Sequence, residues 1–122
     1  MQLRRLVCGR QLTLEGRRLG SDVLLLIYGG DLPHIGSISV AFPSASPFRD
    51  GHRTVSVSTV SLPGHKDYVL SNELSERVSK ELNCVATVLV GIHIDNASKD
   101  EIDLVIEAAR ELVTEFISLQ VP

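Results

Sequence analysis

The sequence predicts an α+β two-layer sandwich in which a mostly antiparallel five-stranded sheet carries two helices on one face. Three observations predict it. Apolar residues alternate along several short segments, the apolar period switches to four residues after position 67, and a capping box at Ser98 opens a long apolar stripe.

Residues 3–14 and 21–28 are apolar-rich runs that read as the first and second strands, joined through 15–20, a glycine-containing connection of hairpin type. Residues 34–42 form the third strand, with Gly36, Ile38, Val40 and Phe42 on one face and Ile35, Ser37, Ser39 and Ala41 on the other. Residues 43–52 hold two Pro, two Ser and a Gly, the composition of a mobile loop. The fourth strand spans 53–62, with Val55 and Val57 facing opposite to Thr54, Ser56 and Ser58. Leu70, Leu74, Val78 and Leu82 then recur every four residues, which predicts an amphipathic helix over about 67–82. Residues 85–94 are the most β-branched stretch and read as a buried fifth strand. In Ser98-Lys99-Asp100-Glu101 the serine accepts from a backbone N–H and the glutamate reaches back, a box worth about 1 kcal/mol. The helix it starts carries Ile102, Val105, Ile106, Ala109, Leu112, Val113, Phe116 and Ile117 on one stripe. The order is therefore four strands, a helix, a strand and a helix.

With 122 residues, 43% hydrophobic and 22% charged, the chain fits a single domain over 1–122 that buries a core without metals or disulfides. No apolar run approaches the ~20 residues of a membrane span, and the first residues lack a signal-peptide core, so a cytoplasmic protein is expected. Cys8 and Cys84 fall in separate apolar strands without Cys-x-x-Cys spacing and are expected as reduced, packed thiols. A net charge of −3, no Trp, two Tyr and three Phe argue against nucleic-acid binding. Five of the basic residues (Arg4, Arg5, Arg10, Arg17 and Arg18) precede position 20, and the last helix is acidic. Either the basic hairpin meets an acidic partner or both faces are solvated.

Three histidines sit in glycine-marked clusters: Gly29-Gly30-Asp31-Leu32-Pro33-His34, Pro63-Gly64-His65-Lys66-Asp67 and Gly91-Ile92-His93-Ile94-Asp95-Asn96. If short connections join antiparallel neighbours, the second, fourth and fifth strands run the same way and all three clusters reach one sheet edge. Both helix N-termini open there, so the expected ligand is anionic. Gly64 permits close backbone approach, and His65 and Lys66 add positive charge suited to a phosphate. Asp31, His34, His93, Asp95 and Asn96 complete the candidate set. Each cluster also has a plain alternative: a permissive turn at Gly29-Gly30, a helix entry with Asp67 as N-cap, and a surface or interface position for His93. A metal-dependent enzyme using His34, His65 and His93 is the rival reading, although no His-x-His or His-x-x-x-His pair supports it. Motifs for nucleophilic, Walker-type or dinucleotide chemistry are missing from the sequence, so the balance leans away from an enzyme.

Asp31-Leu32-Pro33-His34-Ile35-Gly36-Ser37-Ile38-Ser39-Val40-Ala41, Leu62-Pro63-Gly64-His65-Lys66-Asp67 and Gly91-Ile92-His93-Ile94-Asp95-Asn96-Ala97-Ser98 with Glu101-Ile102 resemble the LpdD-like family of small accessory proteins of gallate decarboxylase, also described as prenylated-flavin chaperones. The resemblance spans roughly residues 10–117. It implies a non-catalytic partner that holds or loads prenylated flavin mononucleotide, or FMN, for a UbiD-type decarboxylase. The predicted layout also resembles small proteasome-assembly chaperones, a protein-interaction alternative resting on fold analogy. The sheet face opposite the helices is expected to carry Ser37, Ser39, Ala41, Ser56, Ser58, Thr87 and Gly91, with Ile35, Val60, Leu62 and Leu89 in the same alternation. These apolar members favour a homodimer.

Overall fold

The computed structural model describes residues 1–45, 51, 53–63 and 67–120. It has six strands and two helices: β1 (Gln2–Val7), β2 (Arg10–Leu19), β3 (Asp22–Gly30), β4 (Ser37–Ala45), β5 (Arg53–Ser61), α1 (Tyr68–Leu82), β6 (Ala86–His93) and α2 (Lys99–Gln120). The α+β class and the two helices agree with the sequence reading. The strand count does not, because residues 3–14 are two strands folded at Cys8 and Gly9. Their φ values of 52° and 74° suit the paired positive-φ turn that matches strand twist. Cys8 is thus an exposed turn residue and Cys84 alone is a buried thiol. The expected connection over 15–20 belongs mostly to β2, which runs to Leu19 and turns at Gly20, φ 64°.

The sheet order is β1-β2-β3-β6-β4-β5. β6 pairs parallel with β3 and antiparallel with β4, so it separates two strands that were expected to be hairpin neighbours. The longer connection over 31–36 leaves room for that insertion. Strand directions are unaffected: β3, β5 and β6 all end at one edge, as the sequence predicts. Strand β4 extends through Pro43, Ser44 and Ala45, three residues assigned to the loop. Proline is tolerated there because β4 has run past the end of β6, whose pairing stops at Ala41. The rest of that loop, 46–50 and His52, lies outside the described residues.

Leu14, Leu25, Ile27, Val88 and Val90 on the sheet meet Leu74 and Val78 of α1 and Ala109, Leu112, Val113 and Phe116 of α2 in one core. Ile102 of the expected stripe is half-exposed. The predicted capping box forms in both directions, Glu101 N–H to Ser98 Oγ and Ser98 N–H to Glu101 Oε1, each 3.1 Å. The basic hairpin pairs with this chain's own acidic helix: Arg5 lies 3.5 Å from Glu111 and 3.4 Å from Glu115. Among the described residues, no helix is long and apolar enough to cross a membrane.

The face assignment of β4 is reversed. Ser37, Ser39 and Ala41 lie buried beneath α1, and Ile38, Val40 and Phe42 point to the open face. Hydroxyl pairing makes this possible. Ser71 of α1 is within 2.8 Å of both Ser37 and Ser39, and Ser39 is 2.7 Å from Thr59. Small side chains let the helix approach closely, and their hydroxyls satisfy one another out of water. The open face consequently presents Ile38, Val40, Phe42, Leu24, Leu26, Leu89 and Val60, far more apolar than expected.

Candidate functional site

The shared strand edge brings His34, His93, Asp31, Asp67 and Asp95 together. Gly30 continues the ladder beside His93, and Asp31 N–H donates to the His93 carbonyl at 2.7 Å. One Asp31 oxygen accepts from the Asp95 N–H at 2.8 Å, and the carboxylate accepts from Arg10 Nε at 3.0 and 3.1 Å. Arg10 also reaches Glu101 at 3.2 Å, tying β2, the end of β3 and the first turn of α2 into one knot. The Asp95 N–H, then Arg10, hold the Asp31 carboxyl below its ordinary value. Glu101 is lowered too, first by the Ser98 N–H.

The imidazoles have different settings. His34 is largely buried, with Nδ1 3.1 Å from the Leu32 carbonyl and Nε2 3.4 Å from Asp67 Oδ2. Asp67 occupies the N-cap position of α1 without a side-chain cap bond, because its carboxylate turns toward His34 instead. His93 is more exposed, with Nε2 3.0 Å from Asp95 Oδ1. The rings meet edge-on, centroids 6.5 Å apart. Asn96 lies exposed in the turn before α2, at φ 52°. Gly64, His65 and Lys66 lie outside the described residues, between Pro63 after β5 and Asp67 before α1. Among the described residues, no three His, Cys, Asp or Glu side chains are placed to hold a metal ion. The third histidine of that rival reading is His65.

A cleft of about 310 Å³ opens at this edge between the first halves of α1 and α2. Val69, Leu70, Ile92, Val105 and Ile106 give it apolar walls, and Asp67 and His93 add polar groups to its lining. Glu73 and Arg110 join the helices across it with two 2.8 Å bonds. That pairing lowers the Glu73 carboxyl and raises the Arg110 guanidinium. An apolar slot with a few polar groups at its mouth is the usual form of a small-molecule site. Arg10, Arg110 and the cleft escaped the sequence reading. Asp31 and Glu101 lie 21 and 91 residues from Arg10, and Glu73 lies 37 from Arg110, pairings that no local pattern encodes.

Residues 8–120 match the family model for the prenylated flavin chaperone LpdD-like domain. Protein LpdD of Lactiplantibacillus plantarum is 29% identical over 108 residues, covering 84% of this chain and 68% of that protein. Among solved structures, a chain from the crystal structure of a chaperone complex for yeast 20S proteasome assembly aligns with a TM-score of 0.52. It covers 98% of this chain and 94% of that one at 9% identity, a likeness of fold alone.

Proposed function

This chain belongs to the family of LpdD-like prenylated flavin chaperones, and on that premise we propose that it binds prenylated flavin mononucleotide, or FMN, for a UbiD-type decarboxylase without turning over substrate itself. The observation that carries this reading is the cleft beside the histidine edge: apolar walls adjoin the place where both helices begin. A flavin nucleotide has the matching division, a flat apolar ring system at one end and a phosphate at the other. The phosphate is assigned to Gly64, His65 and Lys66 at the entry to α1, where backbone N–H groups favour an anion. His34, His93, Asp31, Asp95 and Asn96 are assigned to the polar groups between. In the described part of the edge Arg10 faces Asp31 and Glu101, and the His34 and His93 rings stand beside Asp67 and Asp95, so the positive charge for a phosphate is assigned to His65 and Lys66. Decarboxylation chemistry belongs to the cofactor in the partner's active site, and this chain's task is binding and delivery.

The functional form is assigned as a cytoplasmic homodimer joined through the open sheet face. Purified chain titrated calorimetrically with FMN and with prenylated FMN tests the ligand, and co-purification with a UbiD-type decarboxylase tests the partner. Binding is expected in the micromolar range or tighter, about −8 kcal/mol. A protein that takes up neither flavin sinks the proposal. His65→Ala with Lys66→Ala is expected to weaken flavin binding at least about tenfold, consistent with loss of about 1.4 kcal/mol.

A further inference from the structure

We infer that the cleft between α1 and α2 is a hydrocarbon subsite that distinguishes a prenylated flavin from an unmodified one. The inference rests on the flavin-binding reading above and goes beyond it by naming which residues read the modification. Four observations support it.

Aliphatic side chains dominate the lining, with Ile92 of β6, Leu70 of α1 and Val105 and Ile106 of α2 beside the polar groups Asp67, Glu73, His93 and Arg110. At the mouth, Val69 and Ile102 remain 59% and 47% exposed, aliphatic surface that a bound hydrocarbon would withdraw from water. The Glu73–Arg110 bridge joins the two helices across the slot with two 2.8 Å bonds. Its volume of about 310 Å³ lies at the bottom of the range for small-molecule pockets, room for a ring and its alkyl substituent but not for a whole nucleotide.

Position adds direction. Asp67 and His93 of the histidine edge belong to the cleft's lining, so a ligand with its hydrocarbon end inside has its polar part beside that edge. The cleft is on the helix side of the sheet. It therefore stays open if the opposite face is covered by a second copy.

The test uses the full chain with its Ile, Leu and Val methyl groups isotopically labelled, titrated with prenylated FMN and with FMN. The wild type is expected to hold the prenylated form at least about tenfold more tightly. Methyl signals of Ile92, Val105 and Ile106 should shift with the prenylated ligand far more than with FMN. Val69→Glu and Ile102→Glu, both at exposed positions, should lower affinity for the prenylated form at least about tenfold more than affinity for FMN, and so erase that preference. Ile106→Trp, which fills the slot, should likewise weaken the prenylated form more than FMN. The subsite is refuted if both flavins bind but with equal affinity, if the glutamate variants keep the preference, or if the shifts fall only on Leu24, Leu26 and Leu89 of the open face. Each of those outcomes leaves the flavin-binding reading standing. Binding of neither flavin overturns both.

Discussion

The carbonyl oxygen of His34 lies directly against the Cα of Gly91, where any Cβ would collide with it. The same device recurs at Gly36 against the Asp67 carboxylate and at Gly30 against the His93 carbonyl. At Gly91 and Gly30 glycine beside histidine therefore has a packing cause, since a histidine carbonyl stands where a Cβ would be. Gly91→Ala is expected to cost about 3 kcal/mol, because the obstruction is backbone and cannot swing aside. Urea unfolding should show a lower midpoint at unchanged slope.

The serine layer under α1 makes a second prediction. Ser71→Ala removes the shared partner of the Ser37 and Ser39 hydroxyls, all three fully or almost fully buried, and should destabilise the fold by about 1 kcal/mol. Ser39→Leu should cost more, about 3 kcal/mol, since the helix stands too close to admit a branched side chain. Equal stability of Ser39→Leu and wild type in urea would show that α1 does not seat on β4 in this way.

That layer also marks where the sequence is legible and where it is not. Alternation in 34–42 correctly separates Ser37, Ser39 and Ala41 from Ile38, Val40 and Phe42, but hydrophobicity alone assigns the wrong set to the core. The deciding fact is Ser71, 32 residues from Ser39, whose hydroxyl makes the polar side the buried one. The capping box at Ser98 and the period of Leu74 and Val78 are local, and both read correctly. Strand directions follow from connection lengths, and β3, β5 and β6 end at one edge as predicted. Insertion of β6 beside β3 does not, because Leu25 pairing with Val88 is a long-range event with no signature in either segment.

Acid sensitivity follows from Asp31. Its carboxyl is held below the ordinary 3.8 by the Asp95 N–H and Arg10, so it binds a proton less readily folded than unfolded. The stability it contributes is present above that ordinary value and is lost as pH falls through the lower folded value. Glu101 and Glu73, lowered from 4.5, act in the same direction. Asp31→Asn should be less stable than wild type at pH 7, and the gap should narrow below about pH 4. Urea melts at the two pH values measure it; a gap that widens in acid contradicts the assignment.

Thiol labelling should resolve the two cysteines. Cys8 is exposed at the first hairpin turn, and Cys84 is 4% exposed with its thiol pushed up by burial. A maleimide should modify Cys8 in the native protein and reach Cys84 on the order of 100-fold more slowly, through transient opening. Full denaturant should equalise the rates.

The open sheet face gives the most far-reaching prediction. Along β3, β6, β4 and β5 its outward residues include Leu24, Leu26, Leu89, Ile38, Val40 and Phe42. Val60 on the outer strand is 67% exposed. None of the outward positions between Leu24 and Val60 on these four strands carries a charge; Arg4, Glu15 and Arg17 stand instead on β1 and β2, at one side. A charge-free centre with charges of both signs at its margin is the pattern of an interface, and a two-fold axis lets the Arg17 and Glu15 margins of two copies meet. Val40→Asp places a carboxylate at the centre of the face in each copy, where it loses water and meets its own image. Association should weaken at least about 100-fold, consistent with about 2.7 kcal/mol. Light scattering after size exclusion should then report the 13.3 kDa chain for the variant and twice that mass for wild type. Flavin binding by monomeric Val40→Asp should persist, since the cleft lies on the other side of the sheet; a wild type of 13.3 kDa at micromolar concentration would remove the dimer from the proposal.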